Sequence, residues 1–315
     1  MNHPHTLSRR SFVGTVGITA ASLVTLRGVS AKETGIVPTM IEEAASAMIE
    51  IRPLRRNVSV LQGSGGNIAV LTGQDGKLLV DAGFSVSRAR ISAALDSLSP
   101  DPIRTLINTH WHIDHTDGNA WLHAAGATIT AHANTRKRLL VSTRVEGWQY
   151  TFPAAPAGAI PANVMEQTKS MRVNDTSILM NHYEPAHTDS DISVHFAEAD
   201  ILHTGDTWWN GFYPFIDYST GGSIDGTIRA ARTNLAIASD ETTVIPGHGP
   251  IGGRSQLVEF CDMLVSIREK VAALKKQGRS LEQTVSAKPT AAFDAKWGQF
   301  LITPATFTGL VFMGV

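Results

Sequence analysis

The sequence predicts an α/β protein made of two β-rich halves, packed sheet to sheet with helices on the outer faces. Three observations carry that expectation. Short apolar runs of strand length alternate with helically spaced apolar residues in both halves of the chain. Asp81 and Asp206 hold equivalent places in the two halves, each inside a strand, acid, turn, helix succession. Histidines and acids gather where strand-like runs give way to polar loops.

The chain has 315 residues, 43% hydrophobic and 17% charged, which fits a globular enzyme of one large or two small domains. Residues 1–31 are set apart from the fold. Ser8-Arg9-Arg10-Ser11-Phe12-Val13 is a twin-arginine pattern, followed by a weakly apolar run from Gly14 to Leu26 and a small-residue site at Val29-Ser30-Ala31. This reads as a removable export signal, because the run is too short and too rich in Gly, Thr and Ser to span a bilayer. Residues 32–315 would then form the mature domain, and the expected location is the periplasm. Removing Arg9, Arg10 and Arg27 leaves 24 basic against 28 acidic residues, so no basic footprint marks nucleic acid or an anionic membrane as a partner. A small molecule is the expected partner. The single cysteine, Cys261, cannot form an internal disulfide and reads as packing on a helix.

Strand-like runs come first, at 51–54, 58–61, 67–71 and 77–81. Turns at Gly63-Ser64-Gly65-Gly66 and Gly73-Gln74-Asp75-Gly76 make the last three antiparallel hairpins. Val86, Ile91, Leu95 and Leu98 give helical spacing to 85–98. A strand at 105–108, a helix at 118–125, a strand at 128–131 and a helix at 135–142 follow. Periodicity then fails from Arg144 to Asn163, and a loop of that length without secondary structure reads as a flap beside a site or as plain surface linker. Strands at 177–183, 192–196, 200–203 and 243–245 and a helix at 223–238 complete the second half. The helix at 255–276 carries an apolar face of Leu257, Phe260, Cys261, Leu264, Ile267, Val271 and Leu274.

The chemistry centres on His110-Trp111-His112-Ile113-Asp114-His115, an H-x-H-x-D-H stretch at a strand end. Residues two apart point to the same side of an extended segment, so His110 and His112 face one point. Asp114 and His115 come after the chain turns and can face a second. Two imidazoles with one further ligand make an open zinc site, and a carboxylate with imidazoles makes another. His187, Asp206 and His248 stand at later strand ends, each weak by itself.

Together these residues resemble the metallo-β-lactamase superfamily, which has an early aspartate, H-x-H-x-D-H, a later histidine, an aspartate and a final histidine, in that order. Asp81, the 110–115 stretch, His187, Asp206 and His248 match all five elements. The resemblance implies an αβ/βα sandwich of two mixed β-sheets with helices on the outer faces. It implies that His110, His112 and His187 hold one metal, that Asp114, His115 and His248 hold another, and that Asp206 bridges them. Asp81 is better placed to orient a ligand histidine than to be a ligand. The implied cofactor is a pair of Zn2+ ions, with iron or manganese as alternatives.

The expected activity is that of a zinc-dependent metallo-hydrolase cleaving a small ester, lactone, thioester or lactam, with Asp114 as ligand, orienter and proton carrier. An acid at 206 resembles thioesterases such as glyoxalase II and lactonases more than β-lactamases, which stay as an alternative beside an iron-dependent oxygenase or oxidoreductase. Asp117 departs from the family pattern and places one more acid near the cavity. The aromatic run Trp208, Trp209, Phe212, Tyr213 and Phe215 reads as a pocket wall or as core, with Tyr213 or Tyr218 as a hydrogen-bond donor to a developing oxyanion. His123, His132, His182, His195 and His203 read as structural.

Overall fold

The computed structural model describes residues 35–315; the export signal expected at 1–31 lies outside them. Helix α1 (Ile36–Ser46) leads into four strands, β1 (Glu50–Pro53), β2 (Val58–Gln62), β3 (Ile68–Leu71) and β4 (Lys77–Val80). Helix α2 (Arg88–Leu98) crosses over to β5 (Ile103–Ile107). Short helices α3 (Ile113–Thr116) and α4 (Asn119–Ala124) then lead to β6 (Thr128–His132) and α5 (Ala133–Leu139). Strands β7 (Thr143–Val145), β8 (Tyr150–Phe152) and β9 (Asn163–Met165) occupy the stretch in which the sequence shows no periodicity.

The second half comprises β10 (Thr168–Val173), β11 (Thr176–His182), β12 (Ile192–Phe196), β13 (Ile201–His203), α6 (Ile224–Ile237) and β14 (Thr243–Ile245). It is completed by α7 (Arg254–Lys276), α8 (Leu281–Ser286), α9 (Asp294–Trp297) and α10 (Pro304–Gly314).

The strands form a seven-stranded sheet in the order β1-β2-β3-β4-β5-β6-β9 and a five-stranded sheet in the order β10-β11-β12-β13-β14. Each begins as an antiparallel meander and turns parallel, at β4–β5 in one and β13–β14 in the other. The point of change falls in both sheets at the strand that leads into the paired acid, Asp81 or Asp206. That is the two-half symmetry the sequence suggested.

The layers follow from burial. Strands β2, β3 and β4 are covered on both faces, which explains their continuous apolar sequences. Val60, Leu71, Val80 and Ile107 of one sheet pack on Ile178, Val194, Phe196 and Ile245 of the other. The opposite face of the larger sheet is sealed by Ile91 and Leu95 of α2 and Trp121 and Leu122 of α4. Helices α6, α7 and α10 seal the smaller sheet through residues such as Ile228, Phe260 and Phe307. Each such side chain contributes about 1.5–3 kcal/mol when withdrawn from water. Cys261 lies within this last cluster, as its helical position implied. Among the described residues, no helix is long and apolar enough to cross a membrane.

One expectation is corrected. Residues 144–163 are not a loop without secondary structure: β7 and β8 pair as an antiparallel hairpin, and β9 joins the edge of the larger sheet. Strands of three residues are too short to show an alternation. The hairpin buries Val145, Trp148 and Phe152 against the core.

Candidate metal centre

Every strand end that feeds the site does so through a locally specified turn. Asp81 follows β4 with a left-handed backbone (φ 67°), a conformation that Asp tolerates better than most residues. Its carboxylate accepts from Thr109 N at 2.7 Å and Thr109 Oγ1 at 2.8 Å, and lies 2.8 Å from His115 Nδ1. The early acid thus ties the end of β4 to the loop leaving β5 and orients His115. It belongs to neither set of converging donor atoms, as its sequence position suggested.

Those sets contain all seven expected ligands. His110, His112, His187 and Asp206 form one group and Asp114, His115 and His248 the other, with donor atoms within 4.8 Å of one another in each. All seven residues are buried. Asp206 reaches across: its Oδ2 lies 3.5 Å from His187 Nε2, and its Oδ1 lies 3.1 Å from His115 Nε2. His248 Nε2 stands 3.1 Å from Asp114 Oδ2 and 3.4 Å from Asp206 Oδ2.

These contacts are close but poorly aligned as hydrogen bonds. His110 Nε2, Asp114 Oδ1, His115 Nε2, Asp206 Oδ1 and His248 Nε2 are buried without a hydrogen-bond partner among the described residues. Five orphaned polar atoms within the two donor groups would be a large penalty in an apolar core. They fit the donor chemistry of divalent transition metals, nitrogen and carboxylate oxygen with no sulfur.

The far side of several rings is fixed. His112 Nε2 lies 3.1 Å from Asp217 Oδ2, which leaves its Nδ1 facing His187 Nε2 at 2.9 Å. His187 Nδ1 lies 2.8 Å from the Phe215 carbonyl and His110 Nδ1 3.1 Å from Thr109 Oγ1. Such partners select the tautomer that presents a lone pair inward. Asp217 has no motif around it and sequence reading missed it. Its available signal is the Asp217-Tyr218-Ser219-Thr220 turn, in which the carboxylate accepts from Ser219 N and Thr220 Oγ1.

Electrostatics show the same demand for positive charge. Burial drives His110 well below the ordinary imidazole range and lowers His112. Burial also acts against protonation of His248, but Asp206 and Asp114 outweigh it and push that ring up to about 9. Burial opposes ionisation of Asp206, yet His248, His115 and His110 hold it well below the usual carboxylate range. Protons and cations compete for such a cluster.

Close packing leaves no room for side chains on two neighbouring glycines. A Cβ on Gly66 would come 2.1 Å from His115 Cε1, and one on Gly247 would come 1.9 Å from Asp206 Oδ1.

The surrounding aromatic residues divide. Trp148, on the hairpin, sits 4.7 Å from His112 and stacks on Phe215 at 4.9 Å, and Trp209 lies 4.5 Å from His248. Tyr213 and Tyr218 do not supply the donor that the sequence suggested. Tyr213 Oη donates to Asp294 Oδ1 at 2.8 Å and its ring stacks on Phe307, while the Tyr218 hydroxyl lies against Gly314 near the C-terminus. Asp117 is also spoken for, its Oδ2 accepting from Ser85 N at 2.7 Å and Ser85 Oγ. His123, His132, His182 and His203 contact backbone carbonyls and serve structure, as expected. His195 is half-buried, and its Nε2 has no partner among the described residues.

Comparison with known proteins agrees with this fold. A sequence model of the Metallo-beta-lactamase superfamily matches residues 61–253. A curated hydroxyacylglutathione hydrolase from Polaromonas sp. is 29% identical over 150 residues, which is 46% of this chain and 48% of that protein. The match therefore spans about half of that relative's length. Among solved structures, the sec-alkylsulfatase Pisa1 from Pseudomonas sp. shares the fold at a TM-score of 0.62 and 14% identity, over 87% of this chain and 51% of that one. A metallo beta lactamase from Hirschia baltica does so at 0.55 and 21%, over 69% and 98%.

Proposed function

Because the chain belongs to the metallo-beta-lactamase superfamily, we propose that it is a dizinc hydrolase that cleaves a small ester, lactone or thioester. The observation that carries the reading is the pair of donor groups meeting at Asp206, with buried atoms that nothing else satisfies. His110, His112 and His187 would hold one ion and Asp114, His115 and His248 the other, with Asp206 between them. Bound there, two zinc ions would act as Lewis acids and lower the pKa of a water from about 15.7 towards about 7.

The chain's own groups do the rest. Asp81, Asp217 and the Phe215 carbonyl keep His115, His112 and His187 in the tautomers that face inward. Asp114, whose Oδ1 is buried and unpartnered, would take the proton of the attacking water and return it to the leaving oxygen or sulfur. Water adds across the scissile bond and the acid and the alcohol or thiol depart, so that proton ends on the leaving group. Trp148 and Trp209 wall the donors from solvent, which strengthens every charge interaction inside.

An aspartate at 206 supports a thioesterase or lactonase over a β-lactamase, since it supplies a second carboxylate between the groups in place of a thiolate. The test is the metal content of protein purified without added metal, with assays on aryl esters, lactones, a glutathione thioester, nitrocefin and a secondary alkyl sulfate. His112→Ala serves as the blank. Near two zinc per chain with ester, lactone or thioester turnover supports the reading. Iron, or turnover of nitrocefin or the sulfate alone, overturns it in favour of an oxygenase, a β-lactamase or a sulfatase. Export by the twin-arginine route belongs to the same proposal and rests on Ser8 to Val13. Retention of the full chain in the cytoplasm of fractionated cells would refute it.

A further inference from the structure

We propose that a cavity on the outer side of the metal-facing loop is the subsite for the substrate's side arm. It takes an uncharged apolar arm of about phenyl size. The assignment to substrate rests on the hydrolase reading above; the ligand chemistry rests on the cavity itself.

The cavity has a volume of about 160 Å³ and is walled by Trp111, Ile113, Leu139 and Phe152 with the chain at 153–156. Trp111 and Ile113 interleave with His110, His112 and Asp114, so one loop presents donors on one side and apolar surface on the other. Two of the cavity walls, Trp111 and Ile113, are thus each one residue along the chain from a donor. The aromatic wall is continuous between the two places. Trp148 lies 4.7 Å from His112 and 5.9 Å from Phe152, and Phe152 lies 5.6 Å from Trp111. An apolar cavity of about 150 Å³ is known to hold benzene, which sets the size of the arm.

Two charged side chains line it, Arg138 and Asp117. Arg138 Nη2 is already paired with Asp189 Oδ2 at 2.6 Å, whereas its Nε is buried without a partner among the described residues. Asp117 lines the cavity while its Oδ2 accepts from Ser85. With Asp189 neutralising Arg138 and Asp117 adding an acid, an anionic arm would meet net negative charge. An uncharged arm avoids that repulsion.

The test titrates phenylacetamide, phenylacetate and acetamide into the protein, zinc-loaded and chelator-treated, by calorimetry. Chelator treatment separates the cavity from direct binding of a carboxylate to metal. Phenylacetamide is expected to bind at least tenfold tighter than phenylacetate to the chelator-treated protein, with acetamide undetectable. Ala155→Phe and Ala154→Trp, each of which fills the cavity from a lining alanine and leaves the Arg138–Asp189 pair intact, should each weaken phenylacetamide at least tenfold. Thermal melts check that each variant folds, and either one suffices. Equal or tighter binding of phenylacetate, or binding that a folded variant does not weaken, overturns the proposal. Ala155→Phe should also lower the kcat/KM ratio of phenylacetyl to acetyl esters about tenfold. If phenylacetamide follows the expected order but no ester, lactone or thioester is turned over, the hydrolase reading fails and the binding site stands. Ester turnover without the binding pattern does the reverse.

Discussion

Asp217→Asn isolates the contribution of a residue that touches no metal-facing atom. Both carboxylate oxygens of Asp217 are occupied by donors: Oδ1 accepts from Ser219 N at 3.0 Å, and Oδ2 accepts from Thr220 Oγ1 at 2.6 Å and faces His112 Nε2 at 3.1 Å. Asparagine has a single acceptor oxygen and must turn its NH2 towards one of these donors. Facing Ser219, it meets a backbone N–H that cannot reverse. Facing His112, it leaves that ring without an acceptor and favours the tautomer whose proton sits on Nδ1, the atom that must present a lone pair towards His187. Loss of such a partner typically lowers metal affinity 10- to 100-fold, or about 1.4–2.7 kcal/mol. Competition with a chromophoric chelator would measure this directly, with the apo-protein melting point as a check on folding. Zinc affinity equal to that of the parent, in a variant that folds normally, would refute the claim that Asp217 sets the His112 tautomer.

Gly66→Ala should displace His115, whose ring a new Cβ would meet at 2.1 Å, and metal analysis should fall from two ions per chain towards one. Unchanged stoichiometry would show that the loop yields instead. Chelation should lower the melting temperature by the stability that binding adds, about 2.7 kcal/mol where free zinc stands 100-fold above its dissociation constant; calorimetry with and without chelator would reveal an absence of effect. Glu198 is held at a pKa of about 2 by Ser177 N and Oγ, with Arg172 adding to them. Its native pKa lies below the unfolded value near 4.3, so its ionised form supports folding above about pH 4.3 and that support is lost as pH falls towards 2. Melts of Glu198→Gln against the parent should differ at pH 6 and converge by about pH 2, and a constant offset would contradict the assignment.

The ligand set was legible because each member stands where an apolar strand run ends, and such ends need no tertiary information to locate. The pairing of Asp81 with Asp206 was legible for the same reason, and both mark the place where an antiparallel sheet turns parallel. Asp217 was not legible, since it works through His112 from a turn 105 residues along the chain and only folding brings them together. Strand β10 was hidden because none of its residues is fully buried and its half-buried face offers only Met171 and Val173 beside Lys169, too short an apolar alternation to read. Helix α10 was hidden by the opposite property, an apolar sequence with little helical asymmetry. Tyr213 misled because following Asp206 in sequence does not fix direction: the chain turns, and Trp209 faces His248 while Tyr213 reaches Asp294.

The larger sheet delivers His110, His112, Asp114 and His115, and the smaller one His187, Asp206 and His248. Neither half owns a complete coordination sphere, so any cation bound there is a rivet through the seam of the sandwich. Prying the halves apart and releasing the ion become a single event, and whatever loosens the seam must also loosen the grip on the metal.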